Sequence, residues 1–75
     1  MTALANYFGA TVRHFRTCHG WSQELLAEKA DLNRSYLGEI ERGQVIPSIA
    51  TAAKLAGALE ISLSHLLAHC EQHTL

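Results

Sequence analysis

The stretch from Ser22 to Arg42 constrains the fold of this chain more than any other part of the sequence. Its apolar and small residues are spaced for two short helices that cross at a steep angle, joined by a turn of about three or four residues. These residues are Leu26, Ala27, Ala30, Leu32, Leu37 and Ile40. The second helix keeps a polar outer face, and a short helix with hydrogen-bonding side chains near its start fits the major groove of DNA. The stretch therefore predicts a crossed helix pair with a candidate DNA-reading face.

Helix caps and apolar periodicity divide the whole chain into helices, and no segment alternates as a half-buried strand would. Phe8, Val12 and Phe15 share one face of a first helix, and serine or asparagine N-caps precede the later helices. The fourth helix is predicted to face the core with Ile49, Ala52, Ala53, Ala56 and Leu59. We predict an all-α fold with five helices, at about 4–18, 23–30, 34–42, 49–59 and 62–70, and fraying of residues 71–75.

Length and composition are those of one small globular domain. The chain has 75 residues, 48% of them hydrophobic, which predicts a single domain with a small core. Neither a signal peptide nor an apolar run of about 18 residues is recognisable. We therefore expect a cytoplasmic protein without membrane association, in which Cys18 and Cys70 are free thiols. The predicted core consists of Phe8, Val12, Phe15, Leu26, Leu37, Ile40, Leu55, Leu59 and Leu66, with Trp21 as a lid.

The net charge of −1 limits how this chain can bind nucleic acid. Lysine and arginine supply most non-specific DNA affinity by neutralising phosphates, and here seven acidic residues outweigh six basic ones. Binding must then depend on locally placed cations, helix N-termini and backbone amides. We expect weak non-specific binding and a requirement for dimerisation.

An ordered series of short motifs runs through most of the chain. The motifs are Gly20-Trp21-Ser22-Gln23, Leu26-Ala27, Ser35-Tyr36-Leu37, Ile40-Glu41-Arg42-Gly43, Pro47-Ser48, Leu55-Ala56 and Ala58-Leu59. In this order they resemble the Xre/Cro/CI family of helix-turn-helix regulators, which includes phage repressors and restriction-modification controller proteins. The resemblance covers about residues 8–67 and is specific through the ordered combination of the motifs. It implies a lambda-repressor-like fold of five helices in a bacterial or phage-type protein. It also implies sequence-specific binding to double-stranded DNA, as a homodimer on a palindromic operator.

The resemblance implies that the start of the third helix reads bases. Arg34 would bind guanine in bidentate fashion, the alternatives being a phosphate contact or a solvated side chain. Glu39 would accept a hydrogen bond from cytosine N4 or orient Arg34. Gly38 costs about 1 kcal/mol relative to alanine in mid-helix, and would allow a close approach to the DNA backbone or a thymine methyl group. The base-reading candidates are Asn33, Arg34, Ser35, Gly38 and Glu39.

Three residues are phosphate-binding candidates by the same resemblance. Gln23 would bind a phosphate from the N-terminus of the second helix, where the amides and dipole help. Arg42 would provide another phosphate contact, and Tyr36 would either contact the backbone or pack partly inside. Arg16 and Glu41 match a family pair that would tie the first helix to the end of the third.

The fifth helix is the expected dimer element. Leu63, Leu66, Leu67 and Cys70 supply more apolar surface than one small core needs. The chain departs from the family at Asp31 and Glu60, which occupy turn positions that often hold glycine. Both positions require a left-handed backbone, which aspartate tolerates better than most residues.

Two other classes of function remain open from the sequence. One is an antitoxin-like protein-interaction module on the same helices. The other is a metal- or redox-responsive sensor, because His65, His69 and His73 recur at helical spacing beside Cys70. A complete metal site needs further fixed ligands, so we expect no metal and no cofactor. No motif indicates an enzyme or a small-molecule substrate.

Overall fold

Five α-helices form the structure, a computed structural model that describes residues 3–72. The described residues contain no strand, and the predicted all-α fold is confirmed, with helix ends shifted by no more than two residues. The predicted fraying is wrong for Glu71 and Gln72, which continue the last helix, and residues 73–75 lie outside the described part. The helices are α1 Ala3–Cys18, α2 Gln23–Ala30, α3 Arg34–Glu41, α4 Ile49–Ala58 and α5 Leu63–Gln72.

Side-chain caps begin the helices where the sequence predicts them. The Ser22 hydroxyl accepts a hydrogen bond from the Leu25 amide, and Ser48 does the same for Thr51. The Asn33 Oδ1 atom accepts from the amide of Ser35 at 2.8 Å. Each cap satisfies an amide that has no partner within its helix and is worth about 1 kcal/mol.

The two turns without glycine adopt the left-handed backbone that the sequence indicates. Asp31 has φ 57° and Glu60 has φ 64°. The Asp31 amide donates to the carbonyl oxygens of Ala27 and Glu28, which closes α2 and starts the sharp turn into α3. The turn therefore keeps the geometry of a helix-turn-helix despite the missing glycine.

Buried side chains from all five helices meet in one hydrophobic core. The nine large side chains predicted to form the core all contribute to it, with Phe15 half-buried at its edge. Burying each large aliphatic or aromatic side chain contributes about 1.5–3 kcal/mol. The predicted lid is also present, because Trp21 packs half-buried against the core and stacks on the His19 ring at 4.0 Å.

The predicted inward face of α4 is wrong at two positions. Ile49 is 77% exposed, and Ala53 is also exposed. Ala52 and Ala56 pack inward as predicted, together with Leu55 and, at the end of the helix, Leu59. Ile49 is the first residue of α4, directly after the Ser48 cap, and lies beyond the residues that pack into the core.

Gly9 sets how closely α1 approaches the end of α3. A Cβ atom at this buried glycine would collide with the carbonyl oxygens of Ile40 and Glu41. The backbones can touch here only because residue 9 has no side chain. This contact fixes the C-terminal end of α3 against α1.

No described helix has the length and apolar character that a membrane span requires.

Candidate nucleic-acid interface

The first turn of α3 is an exposed polar surface. Asn33, Arg34 and Ser35 are all exposed. The Asn33 oxygen is occupied by capping, at 2.8 Å from the Ser35 amide and 3.3 Å from the Tyr36 amide. Its NH₂ group keeps two donors, so Asn33 can cap the helix and still donate outward.

Arg34 extends from this surface with little to hold it. Its side chain is 63% exposed, and its Nε lies 3.9 Å from the Glu24 carboxylate on α2. An exposed ion pair at this distance contributes about 0–1 kcal/mol, so Arg34 can leave Glu24 at low cost. The structure thus places Glu24 beside Arg34, whereas the sequence suggested Glu39, which is half-buried.

Gly38 differs from the other base-reading candidates because it is buried. The Arg42 guanidinium lies across it, and a Cβ atom at residue 38 would be 3.0 Å from Arg42 Nη1. The predicted approach of DNA to Gly38 is therefore blocked while Arg42 stays in this position. Arg42 itself is exposed, and its guanidinium is 3.5 Å from the Gln44 side-chain oxygen.

A buried carboxylate joins three elements behind this surface. Glu41 accepts from Arg16 Nε at 2.8 Å, from Arg16 Nη2 at 3.0 Å and from Gln23 Nε2 at 2.9 Å. Arg16 also donates to the Trp21 carbonyl oxygen at 2.8 Å. The hydrogen bond to Glu41 raises the pKa of Arg16, while burial opposes that rise. The Arg16–Glu41 pair implied by the resemblance is thus present, and it also holds Gln23.

This network changes the expectation for Gln23. One amide hydrogen is given to Glu41, which leaves the other for an external acceptor. Tyr36, the second phosphate candidate, is half-buried and packs against the core. Only part of its ring is accessible.

A polar depression of about 280 Å³ lies beside the network. The sequence reasoning missed Arg13, which lines it. The available signal was the spacing of Arg13 and Arg16, three residues apart on one helix and so on one face. The lining residues are Arg13, Arg16, Gln23, Glu41 and Arg42.

Two of the four predicted dimer residues cannot form a surface. Leu66 is 0% and Cys70 is 2% exposed, because both pack into the core of the same protomer. Burial also raises the pKa of the Cys70 thiol, with a smaller contribution from Glu71. Leu63 is half-buried and Leu67 is exposed.

Leu63 and Leu67 line an apolar groove of about 230 Å³ between α1, α4 and α5. Three exposed residues that the sequence reasoning did not select extend this groove: Leu4, Ile46 and Ile49. We use the name apolar groove for the surface formed by these five residues. Its exposed side chains are unusual for a small protein and indicate an interaction surface.

The predicted histidine stripe does not form a metal site in the described residues. His69 stacks on His14 of α1 at 5.0 Å and contacts the edge of Phe15, whereas His65 is exposed. His73 lies outside the described residues. Between residues 3 and 72, no three histidine, cysteine or acidic side chains are arranged to hold a metal ion.

The fold and the exposed α3 surface define a protein of the helix-turn-helix class. A helix-turn-helix family model matches residues 12–66, so this chain belongs to the Xre/CI-type helix-turn-helix family of DNA-binding transcriptional regulators. That family is one of regulators and not of enzymes.

Individual relatives are similar over most of the chain. The Escherichia coli K12 transcriptional regulator SutR is 36% identical over 85% of this chain and 36% of its own length. The immunity repressor of Bacillus phage phi105 is 42% identical over 79% of this chain and 41% of its own length. This chain thus spans less than half of either relative. The crystal structure of the restriction-modification controller protein C.AhdI from Aeromonas hydrophila superposes with a TM-score of 0.84 and 45% identity, over 87% of this chain and 98% of that one.

Proposed function

We propose that this chain binds a palindromic DNA operator as a homodimer and regulates transcription in the cytoplasm of a bacterial or phage-type system. The observation that carries the proposal is the exposed first turn of α3, where Arg34 is bound only by a long, solvated ion pair. The named relatives are a transcriptional regulator, a phage repressor and a restriction-modification controller protein. The competing antitoxin-like function gains no support from these names.

Base reading would begin with Arg34. A guanidinium that leaves Glu24 can donate two parallel hydrogen bonds to guanine O6 and N7. Asn33 and Ser35 flank it and are free to donate to neighbouring bases or phosphates. Glu39 would lie one turn farther along α3 and accept from cytosine N4.

Phosphate contacts would then fix the orientation of α3 in the groove. Gln23 is held in place by Glu41 and can donate its remaining amide hydrogen. Arg42 supplies a positive charge at the other end of α3, and Tyr36 contributes its accessible edge. Contacts of this kind position the protein without reading sequence.

The homodimer would form through the apolar groove. A second copy is the occupant that suits it, because the charge of −1 leaves one protomer with few phosphate contacts. Two copies double those contacts and bring two α3 helices to one operator. Leu63 and Leu67 of α5 remain in this surface, while Leu4, Ile46 and Ile49 replace the buried Leu66 and Cys70.

A gel-shift titration with two variants tests the base-reading part of the proposal. Arg34→Ala should lose about 1–3 kcal/mol at the cognate site and discriminate less between sites. Gln23→Ala should weaken binding to every DNA sequence about equally. Unchanged affinity of Arg34→Ala for the cognate site would contradict base reading by Arg34, and a site-selective loss in Gln23→Ala would contradict a phosphate role.

A further inference from the structure

The polar depression beside Glu41 carries an excess of positive charge. Arg16 and Glu41 neutralise each other through two hydrogen bonds. Arg13 and Arg42 are exposed and form no ion pair with a carboxylate of residues 3–72. Two guanidinium groups without an acidic partner therefore line one depression, in a chain whose total charge is −1.

From this geometry we infer that the depression binds one phosphate group of the DNA backbone, with Arg13 of α1 as a binding residue beside Arg42 and Gln23. The inference rests on the proposed function and adds to it a residue outside the helix-turn-helix. Guanidinium groups suit this ligand, because their planar fork donates two parallel hydrogen bonds to phosphate oxygens.

Two of the donors in the depression, those of Arg16 and Gln23, are held in position before any ligand binds. Glu41, whose side chain is only 3% exposed, fixes both Arg16 and Gln23. Less side-chain freedom is lost on binding when the donors are already placed, so the same contacts give more affinity.

We assign a phosphate and not a base edge as the ligand because Arg13 lies away from the exposed first turn of α3. Arg13 belongs to α1. This helix packs against the C-terminal end of α3 at Gly9, and it is not part of the first turn of α3, which carries the base-reading candidates. The N-terminus of the eight-residue α2 also opens here at Gln23, and its amides and dipole favour a negative charge.

The salt dependence of DNA binding tests this inference with a matched pair of variants. Arg13→Gln and Lys54→Gln each remove one exposed cation, but only Arg13 lines the depression. Both variants are first shown to melt like the wild type. Binding of a fluorescent mixed-sequence DNA duplex is then measured against salt. Arg13→Gln should reduce the slope of log K against log [salt] by about one unit, and Lys54→Gln should keep the wild-type slope.

Two outcomes would overturn the inference. The first is a wild-type slope for Arg13→Gln, and the second is an equal reduction in Lys54→Gln, which would show a general charge effect. Thermal unfolding in inorganic phosphate and in chloride at matched ionic strength then separates two causes of the first outcome. Phosphate stabilisation that Arg13→Gln abolishes, together with an unchanged DNA slope, would assign the depression to free phosphate. Failure of the wild-type protein to bind any DNA would instead remove the proposed function.

Discussion

At the scale of the residue, Gly38 and Arg42 work as a pair in this structure. Gly38 has no side chain, and the Arg42 guanidinium lies over this position of α3. The sequence identified both residues, but it assigned Gly38 to the DNA and could not show that another side chain of the same protein covers it. We therefore expect Gly38 to affect DNA binding through the position of Arg42.

Gly38→Ala should therefore change stability and DNA affinity in opposite directions. Alanine favours the helix interior by about 1 kcal/mol, and the new Cβ meets only the mobile end of Arg42. We expect a higher melting temperature and weaker DNA binding, measured by thermal unfolding and gel shift.

Gly57→Ala is the matched control for Gly38→Ala. It adds the same methyl group to α4, where nothing lies within 4 Å. This control should gain stability and keep its DNA affinity. Equal DNA affinity for Gly38→Ala and the wild type would show that the position of Arg42 does not matter for binding.

At the scale of the element, helix ends were predictable and helix faces less so. Ser22, Asn33 and Ser48 mark N-termini because a cap bonds to amides two or three residues away, which is a local event. The exposure of Ile49 and the contact at Gly9 depend on where other helices pass. Arg13 was missed for the same reason, since α1 had to be placed beside α2 and α3 first.

The close contact between α1 and α3 predicts that residue 9 must be glycine for full stability. Gly9→Ala should destabilise the fold, because the Cβ atom collides with backbone carbonyl oxygens that cannot rotate away. Overpacking of this kind destabilises a protein by about 1–3 kcal/mol. Replacing glycine by alanine stabilises a helix by about 1 kcal/mol, so at most it offsets the low end of that destabilisation. We expect a melting temperature below that of Gly57→Ala. A melting temperature equal to or above that of Gly57→Ala would show that α1 and α3 can separate freely here.

At the scale of the whole molecule, we expect DNA binding by a chain of net charge −1 to depend on assembly into a dimer. The described residues measure 31 × 23 × 22 Å. Two such bodies joined side by side are comparable in size to one turn of DNA, which separates half-sites by roughly 34 Å. The apolar groove would join them, and each copy would contribute its own polar depression.

If the dimer forms through the apolar groove, a charged side chain introduced into the groove should disrupt it. Leu67→Glu places a carboxylate at an exposed position in the groove, whereas Leu25→Glu does so at an exposed leucine on α2 outside it. Sedimentation analysis should find Leu67→Glu monomeric and Leu25→Glu dimeric like the wild type. Dimers of undiminished stability in Leu67→Glu would place the interface elsewhere.

The central claim is that two copies of α3 read one palindromic operator. Selection of bound DNA from a random pool by the wild-type protein tests it most directly, because half-site, spacing and symmetry emerge together. The account predicts an enriched inverted repeat whose half-sites lie about one helical turn apart. A pool without an enriched repeat after selection, from protein that is folded and dimeric, would contradict the account.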